Sequence, residues 1–331
     1  MSLYGATCEL SSIDHNGHAT EDTTAGRYDP TYGIRAAVYA NSGDSADWIG
    51  VNELDGAPFN STFWHRGFWR TTGVSSGRTL QEYCDDTDTP VFRLQQTSAN
   101  VIQAQYWDGD SWENVGSTYG LASNTLFKYD LKIVCGASFI LYVTTNMSLE
   151  PEEVLSGSAS MTEVANISRI RGYMNGNSGQ MTRHSEWLWG DEQTIGHRIS
   201  RATPTGDGTH TDGSGGFGDV DEDVTNDGDA STLAANGDSE TYTHDAMTLP
   251  TGDVKAVFLE ARVRMVAGGA ENVKGRIRIG GTDYDQASNF AGIGETYGPY
   301  RPRWATNPAG GGWTQATASQ VSNEFGLLAQ T

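Results

Sequence analysis

Thr62-Phe-Trp-His-Arg-Gly-Phe-Trp-Arg70 is the stretch that decides the fold class. Successive side chains of a β-strand point to opposite faces, so this stretch would carry one alternating set on each face. The first set is Trp64, Arg66, Phe68 and Arg70, and the second is Phe63, His65, Gly67 and Trp69. One of these faces must line a core, and we predict a strand over residues 62–70.

Short apolar and aromatic runs of the same kind recur through the first 200 residues, each bounded by Gly, Asn, Asp or Ser. They predict further strands at 34–39, 91–94, 101–107, 126–134, 139–144, 167–173 and 184–189. The Asp108-Gly109 pair between Trp107 and Trp112 is typical of a hairpin turn. Helical periodicity is nearly absent, although the acidic segment 149–161 could hold one helical turn. Many short strands joined by polar turns indicate an antiparallel sandwich.

The composition of the chain changes after about residue 200. Residues 204–218 are almost all Gly, Thr, Asp and Ser, which predicts a linker or a long surface loop. Beyond them we predict a long buried strand at 254–266, a half-exposed strand at 275–280, a turn at Gly280-Gly281 into 282–285, a short helix at 316–323 and a final strand at 324–328. The predicted fold is all-β, with two antiparallel, jelly-roll-like β-sandwich domains at 1–203 and 204–331.

The charge balance bears on the partners of the protein. The 331 residues include 21 Lys and Arg and 42 Asp and Glu, a formal net charge of −21. Such an acidic surface repels phosphate backbones and anionic lipid, so we expect neither a nucleic-acid nor a membrane partner. The apolar run at 137–143 is far shorter than the ~20 residues that span a bilayer.

The cysteines and the first residues bear on the compartment. Three cysteines, Cys8, Cys84 and Cys135, cannot form a disulfide framework and suggest free thiols in a reducing compartment. The first ten residues show neither the basic nor the apolar region of a secretory signal. We therefore expect a protein that does not leave the cell by the ordinary secretory route.

Several motifs of the second half form a recognisable set. They are Phe217-Gly-Asp-Val-Asp-Glu222, Gly280-Gly-Thr-Asp-Tyr284, residues 297–304, Asn307-Pro-Ala-Gly-Gly-Gly-Trp-Thr314 and Asn323-Glu-Phe-Gly326. Together they resemble a C-terminal module of tailed-bacteriophage virion proteins. The strand pattern of the first half is similar to laminin-G or concanavalin-A-like sandwiches, which often precede that module.

The resemblance implies a non-catalytic structural component of a phage or phage-like particle, exposed as a tail, fibre, baseplate or head-decoration protein. Such a protein would assemble in the host cytoplasm and contact other virion proteins. It would also contact copies of itself, since particle proteins usually form symmetric homo-oligomers. A carbohydrate-binding adhesin for host-surface glycan is the alternative, and an enzyme that trims that glycan is the second one.

The Asn307–Thr314 motif has a structural interpretation of its own. Asn307-Pro308 favours the start of a turn. Trp313 can then plug the end of a sandwich, and Thr314 can cap a short helix that begins at Gln315. We expect these residues to close a core and to perform no chemistry.

The acidic residues that follow position 218 make a possible Ca²⁺ site. Their carboxylates are the hard oxygen ligands that Ca²⁺ prefers. The candidates are Asp219, Asp221, Asp223, Asp227 and Asp229. The spacing is not that of an EF-hand, because Thr225 and Ala234 stand where acidic or amide ligands belong. A solvated acidic loop without a metal is the other interpretation.

Two carboxylates, Glu186 and Glu192, are the candidates for a glycosidase pair. Glu186 and Glu192 share a strand face, but six residues at about 3.3 Å each separate them by about 20 Å. Glycosidase carboxylates lie about 5–9.5 Å apart. We therefore predict no enzymatic activity.

Trp64, Arg66, Phe68 and Arg70 are the candidate glycan-binding residues. If their face of the strand is exposed, the aromatic rings can stack on a sugar and the guanidinium groups can donate hydrogen bonds to its hydroxyls. Packing in the core or against another subunit is the competing interpretation. Trp187 and Trp189 also share a face, which we assign to the core.

Overall fold

A computed structural model gives the architecture of the chain. It describes residues 3–7, 14–15, 28–29, 34–35, 48–51, 54–72, 77–98, 100–122, 125–144, 151–173, 181–197, 199–200, 202–220 and 230–330, the last range without 246, 248, 250, 251, 267–269, 292 and 296. The chain divides into two compact units, Met1–His197 and Arg198–Thr331. The boundary predicted from the sequence lies between residues 203 and 204.

The N-terminal unit is built from β-strands alone in its described residues. They are β1 Leu3–Thr7, β2 Asp14–His15, β3 Tyr28–Asp29, β4 Ile34–Arg35, β5 Trp48–Val51, β6 Thr62–Thr72, β7 Arg78–Cys84, β8 Pro90–Ser98, β9 Val101–Trp107, β10 Trp112–Gly120, β11 Leu126–Val134, β12 Gly136–Thr144, β13 Glu152–Met161, β14 Arg169–Tyr173 and β15 Met181–Gly190. The pairings are antiparallel. One sheet has the order β1-β15-β6-β11-β12-β13 and the other has the order β10-β9-β8-β7-β14-β5-β2.

Large side chains from both sheets meet in one core cluster. Its fully buried rings include Phe63 and Trp69 of β6, Tyr129 of β11 and Phe92 of β8. The Trp69 and Tyr129 rings stack with centroids 3.9 Å apart. Trp187 and Trp189 also belong to this cluster, which confirms their assignment to the core.

Gly67 is required where two of these rings come closest to the backbone of β6. A Cβ atom there would lie 2.5 Å from the Tyr129 hydroxyl and 2.7 Å from Trp187 Cδ1. The neighbouring His65 is buried and hydrogen-bonded through Nδ1 to the Tyr83 hydroxyl at 2.8 Å. Since a buried polar ring needs such a partner, His65 is a satisfied core residue.

The C-terminal unit has one larger sheet and two small ribbons. Its elements are β16 Pro204–Thr211, a 3-10 turn Phe217–Asp219, β17 Ser239–His244, β18 Val257–Phe258, β19 Ala261–Val263, β20 Asn272–Ile279, β21 Thr282–Asp285, β22 Phe290–Ala291, β23 Gly298–Tyr300, β24 Arg303–Trp304, α1 Gln315–Ala318 and β25 Glu324–Gln330. The sheet has the order β16-β17-β25-β20-β21, with β22 paired to β20, and the ribbons are β18-β24 and β19-β23.

The motif that ends at Thr314 closes the core of this unit, as predicted. Trp313 is buried beside Ile277 and Trp304, and its indole Nε1 donates to the Trp304 carbonyl at 2.8 Å. Thr314 caps α1, since its hydroxyl accepts from the Thr317 backbone N–H at 3.1 Å. Asn307 starts a turn in which its side-chain oxygen accepts from the Ala309 N–H at 2.9 Å.

The β20-β21 hairpin also follows the sequence. Gly280 and Gly281 have φ angles of 57° and 84°, the left-handed pair that a two-residue turn of this kind requires. Arg276 and Arg278 alternate with the more buried Gly275 and Ile277, so one face of β20 is covered and the other is not.

Three predictions of local structure were wrong. Residues 152–161 form strand β13, at one edge of the six-stranded sheet, instead of a helical turn. Residues 204–211 form edge strand β16 instead of a loop. The predicted long strand 254–266 is two short strands, Val257–Phe258 and Ala261–Val263, because each pairs with a different partner strand and neither is fully buried.

Candidate functional site

The predicted glycan-binding face of β6 is not a free surface. Trp64, Arg66 and Phe68 are only 7%, 4% and 1% exposed. β6 is a central strand of its sheet, and side chains on both of its faces are buried. A side chain without accessible surface cannot stack on a sugar, so the core interpretation of these three residues holds. The side chain of Arg70 lies outside the described residues.

The contacts on this face explain its burial. The Trp64 ring stacks on Tyr142 with centroids 6.2 Å apart. Asp130 lies opposite Arg66 in the register of β6 and β11 and is fully buried. Its Oδ1 accepts a hydrogen bond from the Thr194 hydroxyl at 2.7 Å. The charged residues here are therefore part of a packed interior.

The predicted Ca²⁺ ligands fall mostly outside the described residues. Asp219 is described: it ends the 3-10 turn, and its Oδ2 accepts from the Gly216 N–H at 3.3 Å. Asp221, Asp223, Asp227 and Asp229 lie outside the described part. Within the residues that the structure does describe, no group of three His, Cys, Asp or Glu is arranged to hold a metal ion.

The predicted carboxylate pair is also only partly described. Glu192 follows the end of β15 at Gly190 and so is not on the strand that carries Glu186. The side chain of Glu186 lies outside the described residues.

A second candidate surface lies on the outer face of the seven-stranded sheet, opposite the core. Polar and aromatic side chains from five adjacent strands, with Asp88 from the turn between β7 and β8, meet there in one row, which we call the polar strip. Its members are Trp107, Trp112, Asn114, Gln105, Arg93, Glu82, Tyr173, Arg171 and Asp88.

Hydrogen bonds join the amide end of the polar strip. Gln105 Nε2 donates to Asn114 Oδ1 at 2.8 Å, and Arg93 Nε donates to Gln105 Oε1 at 2.8 Å. The Arg93 guanidinium carbon lies 4.0 Å from the centroid of the Trp112 ring. Trp107 packs edge-on against Trp112, with centroids 5.7 Å apart. These contacts hold planar amide, guanidinium and indole groups side by side.

The other end of the polar strip is charged. The Tyr173 hydroxyl donates to Glu82 Oε1 at 2.9 Å. Arg171 lies between two carboxylates, 3.7 Å from Glu82 Oε1 and hydrogen-bonded to Asp88 Oδ1. Arg169 is 3.5 Å from the same Asp88 oxygen. The acids and bases of this end are therefore paired within the strip.

Burial varies along the polar strip and shifts the pKa values of its side chains. Glu82 in the middle is 6% exposed, whereas the side chain of Asp88 at one end is 44% exposed. Burial raises the pKa of Glu82, although the Tyr173 hydrogen bond and Arg171 oppose the shift. Burial also lowers the pKa of Arg93. It raises the pKa of the neighbouring Cys84 thiol to about 12, with a contribution from Glu82. The centre of the strip is thus desolvated while its ends reach solvent.

Sequence reasoning missed the polar strip because its members come from several strands: β7 to β10 follow one another in the chain, but β14 lies far beyond them. A signal is present in the alternation of Arg169, Arg171 and Tyr173, and in Gln105 and Trp107 at successive same-face positions. The spacing of residues within one strand does not show that residues of two strands are neighbours, since that depends on the order of the strands in the sheet.

The arrangement of the polar strip suits binding. Sugars present hydroxyls in pairs and an apolar C–H face. Planar guanidinium, amide and carboxylate groups exchange paired hydrogen bonds, and indole rings offer flat apolar surface beside them.

The described residues include no helix that is long and apolar enough to cross a membrane.

Comparison with known proteins gives distant likenesses of fold. No protein-family model and no curated protein matches the sequence. Among solved structures, the chain is similar to the globular domain of T. cruzi calreticulin, with 8% identity, a TM-score of 0.43, and 58% of this chain and 90% of that chain covered. It is also similar to the Ca²⁺/Man3GlcNAc-bound exoplasmic/lumenal domain of VIP36, with 6% identity, a TM-score of 0.38, and 60% and 93% covered.

A third similar structure is the CBM2 module of the evolved Dit of Lactobacillus casei BL23 phage J-1. The identity is 10%, the TM-score is 0.36, and 60% of this chain and 100% of that chain are covered. Likenesses of this strength concern the fold alone and do not say which ligand this chain binds.

Proposed function

We propose that the N-terminal unit is a carbohydrate-binding module and that the polar strip is its binding surface. The observation that carries this proposal is the Arg93 guanidinium held 4.0 Å over the Trp112 ring and hydrogen-bonded to Gln105. A guanidinium fixed in this way loses little conformational entropy when it binds, because its rotamer is already set. Asn114 and Asp88, which are exposed, supply acceptors for further hydroxyls.

Two variants test the strip. Trp112→Ala removes the flat apolar surface, and Arg93→Lys keeps the charge but loses the planar fork. We expect each variant to bind glycan at least tenfold more weakly, a loss of about 1.4 kcal/mol. A glycan array first identifies a ligand for the wild-type chain, and calorimetric titration then gives the affinities.

Tyr142→Ala is the matched control, since Tyr142 is a half-buried aromatic residue of the other sheet. We expect it to bind as the wild type does, and thermal melting shows which variants remain folded. A wild-type chain that binds no glycan on the array would refute the proposal. Equal affinities for Trp112→Ala, Arg93→Lys and the wild type would do the same.

The second candidate function is that of an exposed structural component of a tailed phage or phage-like particle, present as a homo-oligomer. The resemblance of the Asn307–Thr314 motif to virion proteins supports it, and a sugar-binding surface is compatible with a role in host attachment. Imaging of purified particles, with this chain located in the density, tests the proposal. Particles that lack the chain would contradict it.

A further inference from the structure

Two arginines of the C-terminal unit are grouped around one tyrosine. Arg262 on β19 and Arg264, two residues later, are both exposed, and strand alternation places them on the same side. Their guanidinium carbons lie 5.4 and 4.7 Å from the centroid of the Tyr297 ring. Both distances are within the range of a cation–π interaction.

These two arginines differ from other arginines of the same unit. Arg276, Arg278 and Arg301 each lie within 4.0 Å of a carboxylate oxygen. Within the described residues of this unit, the ion pairs include neither Arg262 nor Arg264. In a chain with 42 acidic and 21 basic residues, two neighbouring arginines that pair with none of the described carboxylates are a local exception.

We infer that Arg262, Arg264 and Tyr297 form a binding site for a sugar residue that carries one carboxylate. Two guanidinium groups supply forked donors that match a carboxylate, and the ring holds them in place before binding. On the opposing strand, Pro299 lies opposite Arg262 and Gly298 lies opposite Val263, and both are half-exposed. This small apolar floor can receive the C–H face of a sugar ring.

The charge of the whole chain favours a single acidic sugar over a dense polyanion. The net charge of −21 repels an extended polyanion at long range, whereas one carboxylate in a neutral glycan meets only the local positive pair. The site lies in the C-terminal unit and shares no residue with the polar strip, so it stands or falls independently of the function proposed for that strip.

The test compares 3′-sialyllactose with lactose, which differ by one carboxylate-bearing sugar, in calorimetric titrations of the full chain. We expect the wild type to bind sialyllactose more tightly than lactose, and added salt to weaken the difference. The double variant Arg262→Gln/Arg264→Gln should bind sialyllactose at least tenfold more weakly. Trp112→Ala, which alters only the polar strip, should keep the preference for sialyllactose over lactose.

The double variant Lys255→Gln/Lys274→Gln is the charge-matched control, because it removes two positive charges from the same unit. It should retain the preference of the wild type. The inference is overturned if the wild type binds both sugars equally, or if the lysine and arginine variants lose affinity equally. Equal affinity for a glutamate-rich peptide would assign the site to acidic protein segments and would also overturn it.

Discussion

Replacing Gly67 by alanine tests the packing of the N-terminal core directly. The added Cβ would lie 2.5 Å from the Tyr129 hydroxyl and 2.7 Å from Trp187 Cδ1, about 1 Å inside ordinary contact distance. Both rings are almost fully buried, so neither can swing into solvent. Overpacking of this kind costs about 1–3 kcal/mol. At about 2–4 °C per kcal/mol for a unit of this size, Tm should fall by about 2–12 °C.

Gly120→Ala is the matched control for this prediction. Gly120 ends β10, and a Cβ atom built on it meets nothing within 4 Å. The free energy of unfolding of this variant should stay within about 0.5 kcal/mol of the wild type. Calorimetry and urea unfolding give both values. If Gly67→Ala melts at the same temperature as the wild type, the two rings do not press against β6 and the packing argument is wrong.

Two further predictions concern titrating groups. The pKa of about 12 for the Cys84 thiol, against an ordinary 9.0, leaves about a thousandfold less thiolate at pH 8. The test uses a variant whose other two cysteines are replaced by serine. In the folded variant, a disulfide reagent at pH 8 should label Cys84 about a thousandfold more slowly than in the variant unfolded by urea. Equal rates would show that the thiol is accessible. Burial raises the pKa of Glu324, but hydrogen bonds from two threonines more than offset this and hold it below the ordinary 4.5. Its stabilisation is therefore complete above pH 4.5 and is lost as the pH falls through the lower folded-state pKa. Glu324→Gln should cost stability at pH 7 and progressively less as the pH falls below 4.5, whereas Glu271→Gln, at an exposed residue, should cost little at any of these pH values. A cost of Glu324→Gln that does not change with pH would contradict the assignment.

Local patterns of the sequence were enough to predict many of the elements. Strands β9 and β11 have the predicted bounds, because each is a run with clear turns on both sides. The helix cap at Thr314 and the buried Trp313 followed from side-chain chemistry that acts within a few residues. Predictions of this kind succeed where the interactions that stabilise an element lie within a few residues of one another.

The candidate glycan site failed for a different reason. Alternation along β6 showed that one face must be buried but could not show that the other face is covered too. Aromatic residues on both faces, such as Phe63 and Trp64, are themselves a sign of a strand enclosed on both sides. The opposite error concerns the edge strands β13 and β16, which the sequence predicts as a helical turn and a loop. Both are rich in small and polar residues, because an edge strand needs only one partner strand and one covered face.

The polar strip depends on the core beneath it. The Tyr129 hydroxyl donates to Gln81 Oε1 at 3.3 Å, and Gln81 Nε2 donates to the backbone carbonyl of Arg171 at 3.0 Å. The backbone that presents the Arg171 guanidinium to Glu82 is therefore tied to a buried side chain of the next strand. Because core groups that are packed and hydrogen-bonded move little, they fix the geometry of the surface groups above them. The buried polar residues of this sandwich thus help to explain how eight side chains from five strands are held in one row, with Asp88 of the β7–β8 turn at its end.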